Sequence, residues 1–115
     1  MDRKELMELF NKWPRIGTLS TANKLGEVNV AVFGSPRMTD ENTVVMGIRN
    51  NRSFRNLERN PKAVFIVMEP GPTVKDWKGA RVYLEAVDME TGGEFYEEIK
   101  RNIAKAFGQE AAAFV

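Results

Sequence analysis

The first stretch of the chain has the hydrophobic spacing of an amphipathic helix. Between residues 2 and 12, apolar residues recur at intervals of three and four, which predicts a helix with one apolar stripe. The stripe consists of Leu6, Leu9, Phe10 and Trp13. Asp2 and Glu5 have the spacing of a capping box at its start. Pro14 ends it, because the residue before a proline is pushed out of the helical region.

Five later segments have the alternation or the continuous apolar runs of β-strands. They span residues 16–22, 28–33, 43–48, 63–68 and 80–89. The first two are joined by residues 23–26, where Gly26 can take a positive φ, and they predict a hairpin. Residues 39–42 predict a polar turn before the third strand. The apolar run at 63–68 is unbroken, which predicts a strand covered on both faces.

Helices and loops separate these strands. Residues 53–59 predict a short helix, which Asn60 and Pro61 end, and residues 70–72 predict a surface loop that leads to Trp77. Beyond residues 92–93, apolar residues spaced four apart predict a final helix. They are Phe95, Ile99, Ile103 and Phe107. Short antiparallel strands with a few helices predict an α+β fold, mainly β, with a small curled sheet or barrel.

Composition limits the chemistry available to the chain. It has 115 residues, 43% of them hydrophobic and 29% charged, so we expect one domain over residues 1–115 with a single core. The formal net charge of +1 gives no overall field that would recruit nucleic acid or anionic lipid. With no Cys and no His, thiolate chemistry, imidazole catalysis and metal or haem sites with these ligands are excluded. If the domain catalyses a reaction, a cofactor supplies the reactive centre.

No targeting segment is visible in the sequence. Residues 1–5 lack the apolar region of a secretory leader, and no window approaches the ~18 consecutive apolar residues of a membrane span. We therefore expect a cytoplasmic protein without membrane contact.

A basic turn between strand and helix is the best candidate for a site. We call residues 49–53 the arginine turn; a strand ends there in amide-rich sequence and a helix opens directly after it. Phosphate groups favour such places because backbone N–H groups, the positive end of the helix dipole and a guanidinium converge there. Arg52 and Ser53 occupy this point. Alternatively, Arg52, Arg55 and Arg59 are only a solvated helix face and Ser53 is a plain N-cap.

The order of elements resembles the FMN-binding split β-barrel family, which includes pyridoxamine 5'-phosphate oxidase and the small FMN-binding proteins. Four blocks carry the resemblance, by their order and spacing together: residues 16–21, 28–32, 52–61 and 63–67. The resemblance implies a split β-barrel of about six antiparallel strands with short helices. It also implies FMN as the cofactor and a homodimer that holds the flavin between its two subunits. Family members end with another strand, so the final strand of this chain is expected to be short or truncated.

The resemblance further implies which residues bind the cofactor. They are Val30, Ala31, Val32, Phe33, Gly47, Ile48, Arg49, Arg52, Ser53, Asn56 and Trp77. Arg52, Ser53 and Asn56 would hold the phosphate. Residues 30–33 would lie along the isoalloxazine ring, and residues 47–49 would lie near the ring and the ribityl chain. Trp77 would cover the partner's flavin. No residue is given a catalytic role, because flavin N5 would be the reactive centre.

Several of these residues have an alternative role. Phe33 could be ordinary core, Arg49 could pair with a surface carboxylate, and Trp77 could plug the mouth of the barrel. The residues alone do not decide between these roles.

The leading hypothesis is a small FMN-binding flavoprotein that takes part in electron or hydride transfer with an unidentified redox partner or small substrate. A pyridoxine phosphate oxidase is less favoured, because the chain lacks the additional basic residues that would hold a second phosphorylated ligand. A deazaflavin-dependent reductase shares the same barrel. A nucleic-acid-binding module like an OB barrel would use Phe54 and the arginines of residues 49–59, but the low net charge disfavours it.

Overall fold

The computed structural model describes residues 1–13 and 15–89, with Ile16 described by its backbone alone. The helices are α1 (Arg3–Asn11) and α2 (Arg52–Arg59), and a short 3₁₀ helix spans Val74–Asp76. The strands are β1 (Ile16–Ala22), β2 (Val28–Val32), β3 (Arg37–Asp40), β4 (Thr43–Val45), β5 (Lys62–Glu69) and β6 (Lys78–Glu85). The connector predicted at 92–93, the final helix and the last strand lie outside the described residues.

The strands form two antiparallel sheets. One has the order β2-β1-β5-β6, and β3 and β4 form a separate hairpin. The predicted hairpin of β1 and β2 is confirmed: Gly26 has a φ of 80°, and Asn23 Oδ1 accepts from the backbone N–H groups of Leu25 and Glu27. A mainly-β, antiparallel α+β fold with two helices is thus confirmed over the described residues.

The strand boundaries differ from prediction on either side of residues 41–42. The predicted polar turn at 39–42 was wrong in part, because Thr39 and Asp40 belong to β3. This strand has one buried apolar residue, Met38, which leaves no alternation to detect in the sequence. The turn itself is shorter, and Asp40 Oδ1 accepts from the N–H of Asn42 at 2.7 Å.

Two other strands end earlier than predicted. β4 ends at Val45 rather than at residue 48, because the N–H and the carbonyl of Gly47 bind the side chain of Ser35 instead of a strand. β6 starts at Lys78, where it pairs with Glu69, and ends at Glu85 rather than at residue 89. Beyond that end, the N–H of Ala86 donates to the carbonyl of Pro61 at 2.8 Å.

The predicted first helix is confirmed as α1. Asp2 is its N-cap, and its carboxylate accepts from the N–H of Glu5 at 2.8 Å. The helix packs through Phe10, whose ring lies 5.2 Å from that of Phe65 on β5. Trp13, the last member of the predicted stripe, lies beyond the helix and is half exposed.

The core lies between α1, α2 and the inner face of the larger sheet. Its buried apolar residues are Leu9, Phe10, Leu19, Met38, Leu57, Ala63, Phe65 and Val67. On β5 the buried residues alternate with half-buried ones such as Val64 and Ile66. One face of β5 is therefore fully buried and the other half-buried in the described chain, and cover on both faces stays a prediction.

The opposite face of the larger sheet carries apolar residues. The strand registers give one row of Val30, Ser20, Val64 and Tyr83 across the sheet, and a next row of Val32, Thr18, Ile66 and Arg81. We call Val28, Val30, Val32, Val64, Ile66 and Tyr83 the outer sheet face. Val30, Val32 and Tyr83 are 63%, 75% and 73% exposed. No helix among the described residues is long and apolar enough to cross a bilayer.

Candidate functional site

The helix α2 begins in the arginine turn with a side-chain cap. Asn51 is the N-cap: its Oδ1 accepts from the N–H of Phe54, and its carbonyl accepts from the N–H of Arg55, both at 3.0 Å. The prediction of Ser53 as the N-cap was wrong, because the helix starts at Arg52 and Ser53 lies inside its first turn. A helix leaves its first N–H groups without intrahelical partners, so an anion is favoured at the start of α2, where Arg52 is exposed and Ser53 is buried.

The arginines of α2 occupy one exposed face. Arg52, Arg55 and Arg59 are all exposed, whereas Ser53, Asn56 and Leu57 are buried. Exposure fits both a phosphate contact at Arg52 and a solvated basic face.

Two side-chain hydrogen bonds, one buried and one part-buried, attach α2 to the β1–β2 hairpin. Ser53 is 1% exposed, and its Oγ accepts from Asn29 Nδ2 at 3.2 Å. Asn56 is 7% exposed and donates through Nδ2 to Thr21 Oγ1 at 3.0 Å. Because a buried polar group without a partner is costly, these pairs fix the inner side of the helix. The predicted phosphate contacts of Ser53 and Asn56 stay predictions; in the described chain both side chains bind the hairpin.

Asn29 was not singled out from the sequence. It lies on β2 between the exposed residues Val28 and Val30, on the strand face that points toward α2. A polar amide inside the apolar run 28–33 was the signal that could have found it, because such a side chain needs a partner.

The residues predicted to lie along the flavin ring do not share one face. Val30 and Val32 belong to the outer sheet face, whereas Ala31 is half-buried opposite Leu19. Phe33 follows the strand, packs against the core, and its N–H donates to the carbonyl of Gly17 at 3.0 Å. β2 is an edge strand that pairs with β1 alone in the described part of the chain, so the outer edge of its backbone can hydrogen-bond a ligand.

A serine brings the two predicted ring segments together. Ser35 Oγ accepts from the N–H of Gly47 at 3.1 Å and donates to the carbonyl of Gly47 at 2.9 Å. Gly47 is thereby held beside the segment that follows β2. Ser35 was missed because the sequence showed it as part of a strand-ending turn.

Ile48 and Arg49 continue from this point into the arginine turn. Ile48 is half-buried and packs against the core, and Arg49 is exposed. The carbonyl of Arg49 accepts from the N–H of Asn51 at 2.8 Å, which fixes the backbone just before the helix.

A cavity of about 770 Å³ lies on the inner side of the larger sheet. Its lining is mostly apolar and includes Val44, Met46, Ile48, Phe54 and Leu84. Of the predicted cofactor residues it contacts Gly47 and Ile48. The exposed valines of β2 lie on the opposite face, so within one chain the cavity and the outer sheet face are separate.

Trp77 lies at the end of the sheet away from α2. It is 47% exposed and directly precedes Lys78, which pairs with Glu69 beside the start of β1. Thr21, the contact of α2, lies five residues further along β1, which corresponds to about 16 Å. Trp77 therefore does not reach the arginine turn of its own chain.

The other notable cation lies at that same end of the molecule. Arg15 stacks over the rings of Phe10 and Trp13 at 5.5 and 5.8 Å, and its guanidinium donates to the carbonyl of Pro36. Burial, and then the nearby charge of Arg37, lowers the pKa of Arg15. Among the described residues, no three acidic side chains are grouped as a metal site requires.

Solved structures with this fold bind different cofactors. An FMN-binding protein from Syntrophomonas wolfei subsp. wolfei matches with a TM-score of 0.76 and 27% identity, over 95% of this chain and 77% of that chain. HupZ of group A Streptococcus matches with a TM-score of 0.73 and 22% identity, over 93% of this chain and 80% of that chain. The heme storage protein HutZ from Vibrio cholerae matches with a TM-score of 0.75 and 19% identity, over 99% of this chain and 82% of that chain. No protein-family model and no curated protein matches the sequence.

These structures have the split-barrel fold of the pyridoxamine phosphate oxidase-like proteins. The described strands and helices of this chain agree with that architecture in being antiparallel and mainly β. The chain therefore shares a fold whose members include an FMN-binding protein and a heme storage protein.

Proposed function

We propose that this chain is a small FMN-binding flavoprotein of the split-barrel type that takes part in electron or hydride transfer. The observation that carries the proposal is the position of the capped start of α2 beside the edge strand β2, joined by the hydrogen bond from Asn29 to Ser53. This arrangement offers an anion site and a strand edge next to each other. The likeness to an FMN-binding protein at 27% identity supports the same cofactor.

The residues present fit the two chemically distinct ends of FMN. The phosphate would meet the exposed guanidinium of Arg52 at the positive end of the α2 dipole, which together provide charge and directed donors. The polar edge of the ring would meet the outer backbone edge of β2, with which no strand of the described residues pairs. Bound flavin supplies the redox chemistry, and the protein binds, orients and tunes it.

The outer sheet face supports a homodimer with the flavin near the subunit interface. Val28, Val30 and Val32 form an exposed apolar row along β2, and exposed apolar surface of this kind marks interaction sites. The polar residues Thr18 and Ser20 of β1 separate this row from Val64, Ile66 and Tyr83 on the same face. A second subunit would also explain the place of Trp77, which lies too far from its own arginine turn and would cover the partner's flavin.

The test is reconstitution with FMN followed by desalting, with the retained flavin measured by its visible absorbance. The wild-type protein should retain FMN, and Arg52→Ala should weaken binding about tenfold or more because a phosphate contact is lost. Arg59→Ala is the matched control, since it removes an arginine from the same helix face two turns away from the helix start. A wild-type protein that retains no FMN, or equal losses in both variants, would overturn the proposal.

Heme is the second candidate, favoured by the likeness to HutZ. This chain has no His and no Cys, the two commonest axial ligands of heme iron, so of the usual ligands only Met or Tyr could coordinate the iron. We therefore place heme second. Titration with hemin decides between the two, because saturable growth of a Soret band without retention of FMN would reverse the order.

Two further alternatives can be tested on the same samples. Retention of a deazaflavin in place of FMN would assign the chain to the reductases that share this barrel. Turnover of pyridoxine phosphate by the FMN-loaded protein would assign the oxidase activity instead.

A further inference from the structure

One side chain connects the two halves of the proposed flavin site. Asn29 belongs to β2, directly before Val30, and its Nδ2 donates to Oγ of Ser53, the neighbour of Arg52. From this contact we infer that Asn29 is a positioning residue that sets the place of the phosphate-binding end of the site relative to the ring strand. The inference rests on the proposed function and deepens it.

The geometry explains why this contact would matter for binding. FMN spans both elements, and the length of its ribityl chain fixes the separation between phosphate and ring. Sites of this kind require their groups to be held within about 0.5 Å of the productive arrangement. Ser53 is 1% exposed and Asn29 is half-buried, so the bond between them is partly shielded from water and holds the first turn of α2 against β2.

An amide suits this position better than other side chains. Ser53 can accept a hydrogen bond and donate one, and the amide of Asn29 donates without carrying charge. Alanine would leave the buried hydroxyl of Ser53 without its partner. Aspartate would accept rather than donate and would place a negative charge next to the proposed phosphate site.

The second attachment of α2 lies further along the helix. Asn56 binds Thr21 one turn after Ser53, so it retains the helix on the hairpin when the first bond is lost. Loss of the Asn29 contact should therefore shift the arginine turn without releasing the whole helix.

The experiment compares FMN with riboflavin, which has the ring and the ribityl chain but no phosphate. Dissociation constants for both are measured for wild type, Asn29→Ala, Ser53→Ala and the double variant. Asn29→Ala should weaken FMN binding about tenfold and change riboflavin binding less than about twofold. Since the two residues act through one bond, the double variant should bind FMN no more weakly than the worse single variant.

Asn11→Ala is the matched control for stability. Asn11 is also a half-buried asparagine, and it binds both backbone groups of Met38, at 2.8 and 2.9 Å, from the end of α1 rather than from β2 or α2. The Asn11→Ala variant should have a lower melting temperature than wild type but an unchanged preference for FMN over riboflavin. The isosteric Asn29→Asp variant should fold and lose FMN more strongly than Asn29→Ala, with riboflavin binding kept.

The outcomes separate the two proposals. If wild type binds neither ligand, the proposed function itself fails. If wild type prefers FMN and both Asn29 variants keep that preference, the positioning role of Asn29 fails while the flavin proposal stands. Equal weakening of FMN and riboflavin would likewise overturn it, because it would show a general structural effect.

Discussion

Asn56 donates its side-chain amide to the hydroxyl of Thr21 across 3.0 Å, with exposures of 7% and 4% respectively. A helix therefore rests on a strand through a buried polar pair, although its neighbour Leu57 belongs to the apolar core. A pair of this kind is weak as a source of net stability but costly to break on one side. It fixes one orientation of the arginine-bearing helix on the hairpin.

Asn56→Ala should destabilise the protein by about 2 kcal/mol, because it leaves the Thr21 hydroxyl buried without a partner and opens a small cavity. Urea unfolding followed by circular dichroism measures this loss. The double variant Thr21→Val with Asn56→Leu should recover a large part of it, since an apolar pair needs no partner. A double variant that is less stable than Asn56→Ala would contradict this account.

Asn51→Ala should destabilise the protein by about 1 kcal/mol, the usual cost of removing an N-cap side chain. Asn50→Ala is the matched control, since Asn50 is exposed and precedes the cap by one residue. The melting temperature of Asn50→Ala should stay near that of wild type. Equal shifts in both variants would mean that the cap bond to Phe54 contributes little.

Gly17→Ala should destabilise the protein by about 1–3 kcal/mol through overpacking. A Cβ at this position would lie 2.8 Å from Phe65 Cε1 and closer still to Cζ. At Gly34 the nearest atom to a new Cβ is Trp13 Cη2 at 3.7 Å, an ordinary contact, so Gly34→Ala is the control and should be nearly neutral. Thermal unfolding compares the two, and Phe65→Leu should relieve part of the Gly17→Ala defect.

Arg37→Glu should stabilise the protein by about 0.5 kcal/mol, because it replaces a repulsion of Arg15 by an attraction near the surface. The gain should shrink in high salt, where exposed charges are screened. Lys24→Glu makes the same change of charge in the exposed hairpin turn and serves as the control. A gain that persists in high salt would point to a different cause.

A charge on the outer sheet face should separate the proposed dimer into monomers. Val32→Arg places a guanidinium in an exposed apolar patch, where an interface would bury it without a partner. Sedimentation velocity should then give the monomer mass, with the far-ultraviolet dichroism spectrum unchanged. Lys62→Ala, at the margin of the same face, is the control and should leave the mass unchanged.

The sequence predicted the elements that have their own local signals. The stripe of α1, the alternation and turn of the β1–β2 hairpin, and the apolar run of β5 are all visible within a few residues. β3 was missed because its pairing with β4 depends on a partner strand, and its own sequence has one buried apolar residue, Met38. Tertiary pairing, rather than local pattern, creates that strand.

The candidate site was predicted in its chemistry more than in its contacts. The position of Arg52 at a helix start follows from local sequence. The partners of Ser53 and Asn56 lie 24 and 35 residues away on the hairpin, so no local pattern could reveal them. The N-cap was predicted at Ser53 rather than at Asn51 for a different reason: sequence determines the exact first residue of a helix only poorly.

The docking of α1 has a consequence for how the chain folds. Its contacts reach across the sequence: Asn11 binds Met38, Lys12 Nζ lies 2.8 Å from Glu69 Oε1, and Phe10 packs on Phe65. Because α1 precedes β5 in the chain, it leaves the ribosome earlier and acquires these native neighbours only after β5 has been synthesised. Contacts between residues so distant in sequence slow folding. Until β5 is available for packing, Phe10 of α1 is exposed to solvent or to chaperones.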